Sequence, residues 1–435
     1  VNAPVRLAAW IGPQLGLATL CALVACGENS TTPQAEAVSR SPQSTYEREV
    51  AALDSAIEAA LASGRAAADR PAGMLGAVPL YVERAQLTGK LDDYGNARAL
   101  LDATAARMDS WSYPCLEYAR LDFALNRLAD AAGELDSCPG SVAREEIAGL
   151  HADIAFHSGR YRQAESIYRA LVNQVGTPQQ YLRLATYRSR TGAPAEAAAL
   201  LEAAETRYAS SSPTTKAWLK LQRGLLALDR GRFDEALAMY RAAADTLPGW
   251  WLVDEHLAEV MWLSGDALGA KTVYESVIAR TGLPEHMDAL AFIKTTEGRL
   301  DEALPLRRQA RALHEARLRQ FPETASGHAI DHLLQNQNDA DLATALALAE
   351  ANFAARPYGD SAVALARALL RNREPKRAET LLVAQIMSGW DTAELYWVLS
   401  EARKQLGRDA DARRSEEAAL ERNPASAAMY ATVLN

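Results

Sequence analysis

The chain has 435 residues, 49% hydrophobic and 23% charged, a globular composition too apolar for disorder and long enough for about three ordinary domains. Its 46 Lys and Arg against 55 Asp and Glu leave a net charge of −9, which speaks against a phosphate backbone as partner, because nucleic-acid binders present basic faces. Only 6 Phe in a chain crowded with Ala and Leu points to helices in close approach and away from all-β and doubly wound folds.

Residues 1–25 carry one early charge, Arg6, then an apolar run from Leu15 to Ala25 that ends in small residues before Cys26. This is the layout of a secretory signal, and the run is too short for the roughly 20 residues that span a bilayer. Leu23-Val24-Ala25-Cys26 resembles the bacterial lipobox, in which the thiol at the new N-terminus is acylated. The resemblance implies lipidation at Cys26 and no other membrane attachment. Gly at position 27, where Asp is the alternative, implies delivery to the outer membrane, facing the periplasm. Residues 26–44 are rich in Ser, Thr, Pro and Gln and read as a flexible tether. An amphipathic helix is expected from Tyr46 to Asp69, stopped by Arg70-Pro71-Ala72-Gly73.

From residue 145 to the end one phrase recurs: Gly-x-aromatic-x-x-Ala, with an aromatic or Leu four residues on. It stands at Gly159–Ala164 with Tyr168 and at Gly231–Ala236 with Tyr240, with weaker copies ending at Ala197, Ala270, Ala303 and Ala412. With Ala345 and Ala378, the marker alanines step by 33, 39, 34, 33, 42, 33 and 34. Each Gly sits where a first helix ends left-handed, and each Ala where a second helix crosses the first closely. Divergent copies at 45–144 hold Gly89 with Ala97, and Asn126 with Ala131. The 39-residue step places a loop at Ser210–Pro213, and the 42-residue step a second helix lengthened by about two turns over 309–320.

This period and phrase resemble the tetratricopeptide repeat. The resemblance implies an all-α protein, an α-solenoid of about ten stacked antiparallel helix pairs in a right-handed superhelix. It also implies a concave groove that takes peptides. Transferring the groove positions gives Asp153, His157, Gln179, Arg190, Trp218, Glu255, Glu259, Trp262, Asp288, Thr295, Arg367, Arg371, Trp397 and Lys404. Repeat numbering places Cys115 at position 4 and Cys138 at position 27, which face each other across antiparallel helices. A disulfide there would contribute about 3 kcal/mol in an oxidising compartment; two free core thiols or a redox pair are the alternatives.

His328-Ala329-Ile330-Asp331-His332 resembles the H-x-x-E-H of inverted zinc peptidases, with Asp for Glu. No third ligand stands out in the sequence, so His328 and His332 are weak metal candidates beside a packing role. No phosphate-binding Gly loop and no serine elbow is found. The expectation is a non-enzymatic, cofactor-free, envelope-tethered scaffold for protein or peptide partners. The alternatives are a metal-dependent hydrolase around His328, Asp331 and His332, or a glycan-binding module using the Trp residues.

Overall fold

A computed structural model describes residues 45–430 except 67–70, 109–111, 140–143 and 337; the secretory segment, Cys26 and the tether lie outside the described residues. Helix α1 covers Thr45–Ala66, and ten antiparallel pairs follow it. These are α2 (Ala77–Thr88) with α3 (Asp92–Ala105), α4 (Cys115–Ala124) with α5 (Leu128–Asp136), α6 (Arg144–His157) with α7 (Tyr161–Gln174), and α8 (Pro178–Arg190) with α9 (Pro194–Arg207). Next come α10 (Pro213–Asp229) with α11 (Phe233–Thr246), α12 (Trp251–Leu263) with α13 (Ala267–Thr281), and α14 (Pro284–Thr296) with α15 (Leu300–Gln320). The last are α16 (Pro322–Leu334) with α17 (Asp339–Ala355), α18 (Gly359–Arg371) with α19 (Pro375–Ser388), and α20 (Ala393–Gln405) with α21 (Asp409–Arg422), before a short α22 (Ser426–Tyr430). Among the described residues no helix is long and apolar enough to cross a membrane.

Local chemistry sets these boundaries. Proline, which lacks an N–H and has its φ fixed, opens α8, α9, α10, α14, α16 and α19, where the first-turn N–H has no helical partner anyway. The loop at Ser210–Pro213 is present, and the Ser212 hydroxyl caps α10 by accepting from the Thr215 N–H at 3.4 Å. Helix α15 is 21 residues long where α7, α9, α11, α19 and α21 are 14, so the added length is two turns. All ten marker alanines are no more than 2% exposed, from Ala97 and Ala131 through Ala164 and Ala236 to Ala412. Each lets its helix approach its partner, and a larger side chain there would overpack the crossing by about 1–3 kcal/mol. Cys115 and Cys138 are joined by a disulfide with Cα atoms 5.4 Å apart, tying the start of α4 to the residues after α5.

A repeat array in which each unit touches only its neighbours is quasi-one-dimensional. This one is not, because its superhelix winds tightly enough for successive turns to meet. The turn inside each of the first four pairs seats on the junction between pairs five and six places further along, and that of the fifth on the segment between α21 and α22, roughly 200 residues on. Gly89 between α2 and α3 lies against Leu283 and Trp251. Asn126 between α4 and α5 donates to the Glu323 carbonyl at 3.3 Å and accepts from Arg356 at 2.8 Å. Tyr161, which opens α7, accepts from the Gly359 N–H at 2.9 Å. The Asp391 N–H donates to the Arg190 carbonyl at 2.9 Å beside an isolated bridge from Thr191 to Asp391. Gly231 meets Asn423 and Ala425. The start of α1 joins the same scheme, the Tyr46 N–H donating to the Pro248 carbonyl at 3.2 Å.

The core follows this winding. One buried cluster unites Phe156, Tyr161, Tyr168 and Tyr187 from the first turn with Ile330, Tyr358, Trp390 and Leu395 from the second. Trp390, 1% exposed, packs its ring against those of Phe156, Tyr161 and Tyr358 in tilted and edge-on contacts at 5.5–5.8 Å between centroids.

Candidate functional site

The first helices of the pairs carry a train of polar side chains along the inside of the superhelix. Asp153 on α6 accepts from Arg183 Nε and Nη2 on α8, both at 2.9 Å to Oδ2, and from the Tyr168 hydroxyl at 2.9 Å. Gly149, whose missing Cβ would stand 2.8 Å from Arg183 Nη1, makes room for that guanidinium. On α12, His256 lies 3.3 Å from Glu259 and 3.6 Å from Glu255. On α14, Glu285 pairs with Arg317 at 2.9 Å; burial raises its carboxyl, but Arg317, His328 and His286 outweigh that and hold it well below the usual carboxylate range. Asp288 lies between two imidazoles, 2.8 Å from His314 Nε2 and 2.8 Å from His332 Nδ1. Asp331 pairs with Arg367 at 2.9 Å, and burial, opposed by that guanidinium, pushes its carboxyl up to about 6.

These contacts correct the groove expected from the sequence. Asp153, His157, Trp218, Glu255, Glu259, Asp288, Arg367 and Trp397 are 0–7% exposed, so they are interior groups in this conformation and reach no extended peptide. The reason is the tight winding, which brings the inner faces of successive pairs into contact with one another. Arg190, Trp262 and Arg371, like Gln179 and Thr295, keep partial exposure, and Lys404 is exposed. Trp218 and Trp397 belong to the hydrophobic core, which removes them from any glycan-binding face. The peptidase-like string is also rearranged: Asp331 is engaged by Arg367, while His332 meets Asp288 and His314 and leaves His328 one turn away.

An accessible cleft opens where two superhelical turns meet. A cavity of ≈ 260 Å³ is lined by Arg190, Arg230 and Arg422 and by Asp229, Asp360, Asp391, Glu394 and Glu421, with Leu226, Pro194 and Tyr430 as apolar wall. Arg190 pairs with Asp229 at 3.0 Å on the first turn, and Arg422 with Asp391 at 2.6 Å on the second. Gly192 admits Asp391 to the seam, since a Cβ at position 192 would clash with its Oδ2. Of this cleft the sequence marked only Arg190. Its facing wall, Asp360, Asp391–Glu394, Glu421, Arg422 and Tyr430, comes from residues roughly 200 positions further along, beyond the reach of any local pattern.

No protein-family model matches the sequence, and no curated protein matches it. Solved structures do. The chain is similar to yeast Tom70 at 14% identity and TM-score 0.40, covering 86% of this chain and 89% of that one. It is similar to the human IFIT1 dimer with m7Gppp-AAAA at 14% identity and TM-score 0.39, covering 79% and 90%. A tetratricopeptide repeat protein from Parabacteroides merdae matches at 12% identity and TM-score 0.35, covering 67% of this chain and 98% of that one. At these identities and TM-scores none of them carries a function over to this chain.

Proposed function

We propose that this chain is a tetratricopeptide-repeat scaffold of the bacterial cell envelope, lipid-anchored through Cys26 at the outer membrane and facing the periplasm, that binds protein partners without catalysis. The repeat phrase and its period support the family, and the lipobox resemblance supports the address. The observation that carries the binding reading is the cleft between superhelical turns, with three Arg and five carboxylates around an apolar wall. Charges of both signs on a rigid seam suit a protein segment that itself carries both signs. An excess of carboxylates opposes a phosphate backbone. Within the inner face, partner contact falls to the accessible side chains Arg190, Trp262 and Arg371, while the buried polar train holds the pairs in register. The lipid tether raises the local concentration of whatever is bound near the envelope.

The experiment is crosslinked affinity capture from envelope extract, with wild type beside the charge reversals Arg230→Glu and Glu394→Lys. Both lie in the cleft and outside its Arg190–Asp229 and Arg422–Asp391 ion pairs. The expected result is a several-fold loss of the same captured proteins in both variants, with helicity unchanged. Equal recovery from wild type and both variants would remove the cleft as the binding site.

A further inference from the structure

We propose that Asp288, His314 and His332 form a binding site for one divalent transition-metal ion, of the zinc class, that clamps α14, α15 and α16 together. The three side chains come from three consecutive helices, and one donor atom of each lies within 4.8 Å of the other two. They are 1%, 3% and 4% exposed, so the donor set is built into the interior and is no accident of a solvated surface.

Two imidazoles and a carboxylate are the donors that borderline divalent ions prefer, whereas calcium and magnesium ask for oxygen cages. His314 would ligate through Nε2 and His332 through Nδ1, the atoms that already face the Asp288 oxygens at 2.8 Å. As lone-pair donors, both rings would then carry a proton on the other nitrogen. Charge balance gives the ion a reason to be there. A buried carboxylate calls for a cation, yet the neighbouring guanidinium groups are committed elsewhere, Arg317 to Glu285 and Arg367 to Asp331. The side-chain hydrogen bonds of Asp288 go to the two imidazoles, and its charge is also felt by His328 and Asp331.

The architecture supplies an independent argument. His314 is the fifteenth residue of α15 and so falls beyond the 14 residues at which α7, α9, α11, α19 and α21 stop, whereas α13 has 15 residues and α17 has 17. The two-turn extension of this one helix therefore carries His314, and Arg317 with it, over Asp288 and Glu285 of α14. The peptidase-like string contributes one ligand only, His332. The site is closed in by its own helices, which suits an ion that holds helices together.

The test uses the purified, untagged full chain, stripped with chelator and titrated with zinc against a chromophoric competitor, with thermal unfolding followed in parallel. The expected result is one equivalent of zinc bound and a rise in Tm with zinc. In His314→Gln and in His332→Gln the affinity should fall at least about tenfold, the loss that even outer-shell partners produce. His328→Gln, one helical turn from His332, should keep the wild-type affinity. Folded wild type that takes no zinc from the competitor overturns the proposal, whether or not the variants fold. So does an affinity unchanged in both His314→Gln and His332→Gln.

Discussion

His157 shows how the winding changes the chemistry of a single residue. By repeat position it belongs to a groove, but it is buried against Phe123, Phe156 and Tyr358, with neither ring nitrogen hydrogen-bonded. Burial, with Arg356 adding to it, lowers its pKa to about 3. An unfolded His titrates near 6.5, so on acidification the unfolded state takes up the proton first. The stability tied to neutral His157 is complete above about pH 6.5 and is lost as pH falls towards 3. At pH 5 that loss is about 2 kcal/mol relative to neutrality. His157→Phe, which keeps the ring packing, is expected to flatten this dependence, gaining on wild type in urea denaturation at pH 5 compared with pH 7.5. A variant-to-wild-type difference that is the same at both pH values would show that His157 is not the group. At this scale the sequence was half legible. Five of the seven His fall between residues 256 and 332, a concentration visible in the sequence. Which of them meet was not, because the pairing of His332 with Asp288 and His314 needs the lengths and crossings of three helices.

The helix pair is the element that the sequence announces most clearly, since the marker Gly and Ala report local geometry directly. What the phrase conceals is that its glycines hold two different positions. Gly159 and Gly407 both stand at left-handed turns, each with φ of 71°. A Cβ on Gly159 would lie 2.5 Å from the Pro357 carbonyl oxygen on the next superhelical turn, whereas one on Gly407 meets nothing within 4 Å. Gly407→Ala should therefore cost only the left-handed backbone penalty, about 1 kcal/mol. Gly159→Ala should cost about 1–3 kcal/mol more, because backbone on both sides of the seam must shift. Chemical denaturation of the two variants side by side reads the difference, and equal costs would mean that the turns are not in contact. The helix lengths were legible for the same local reason: the 42-residue step became the extended α15, and the 39-residue step the capped loop before α10.

At the scale of the whole molecule, local periodicity reveals that pairs stack and says nothing about how many complete a turn. Small rotations between neighbouring pairs add up, and here the sum closes a turn within five to six pairs, so distant repeats become neighbours. That closure, together with contacts between adjacent pairs, buries the residues expected to line a groove, joins the cores of the first and second turns, and leaves a mixed-charge cleft at the seam as an accessible recess. Family positions transferred one by one cannot anticipate this, because burial at His157 or Trp397 depends on residues outside its own repeat. The most direct measurement is an engineered crosslink across the seam. In Gly192→Cys with Asp391→Cys the two Cβ atoms would start 3.3 Å apart, close to disulfide spacing. Mild oxidation of the folded double variant should close this bond in high yield, giving a faster-migrating non-reduced band and loss of both added thiols to alkylation. If both thiols remain alkylatable in folded protein, successive turns do not touch, and the account of the interior, the cleft and the binding site built on that contact is contradicted.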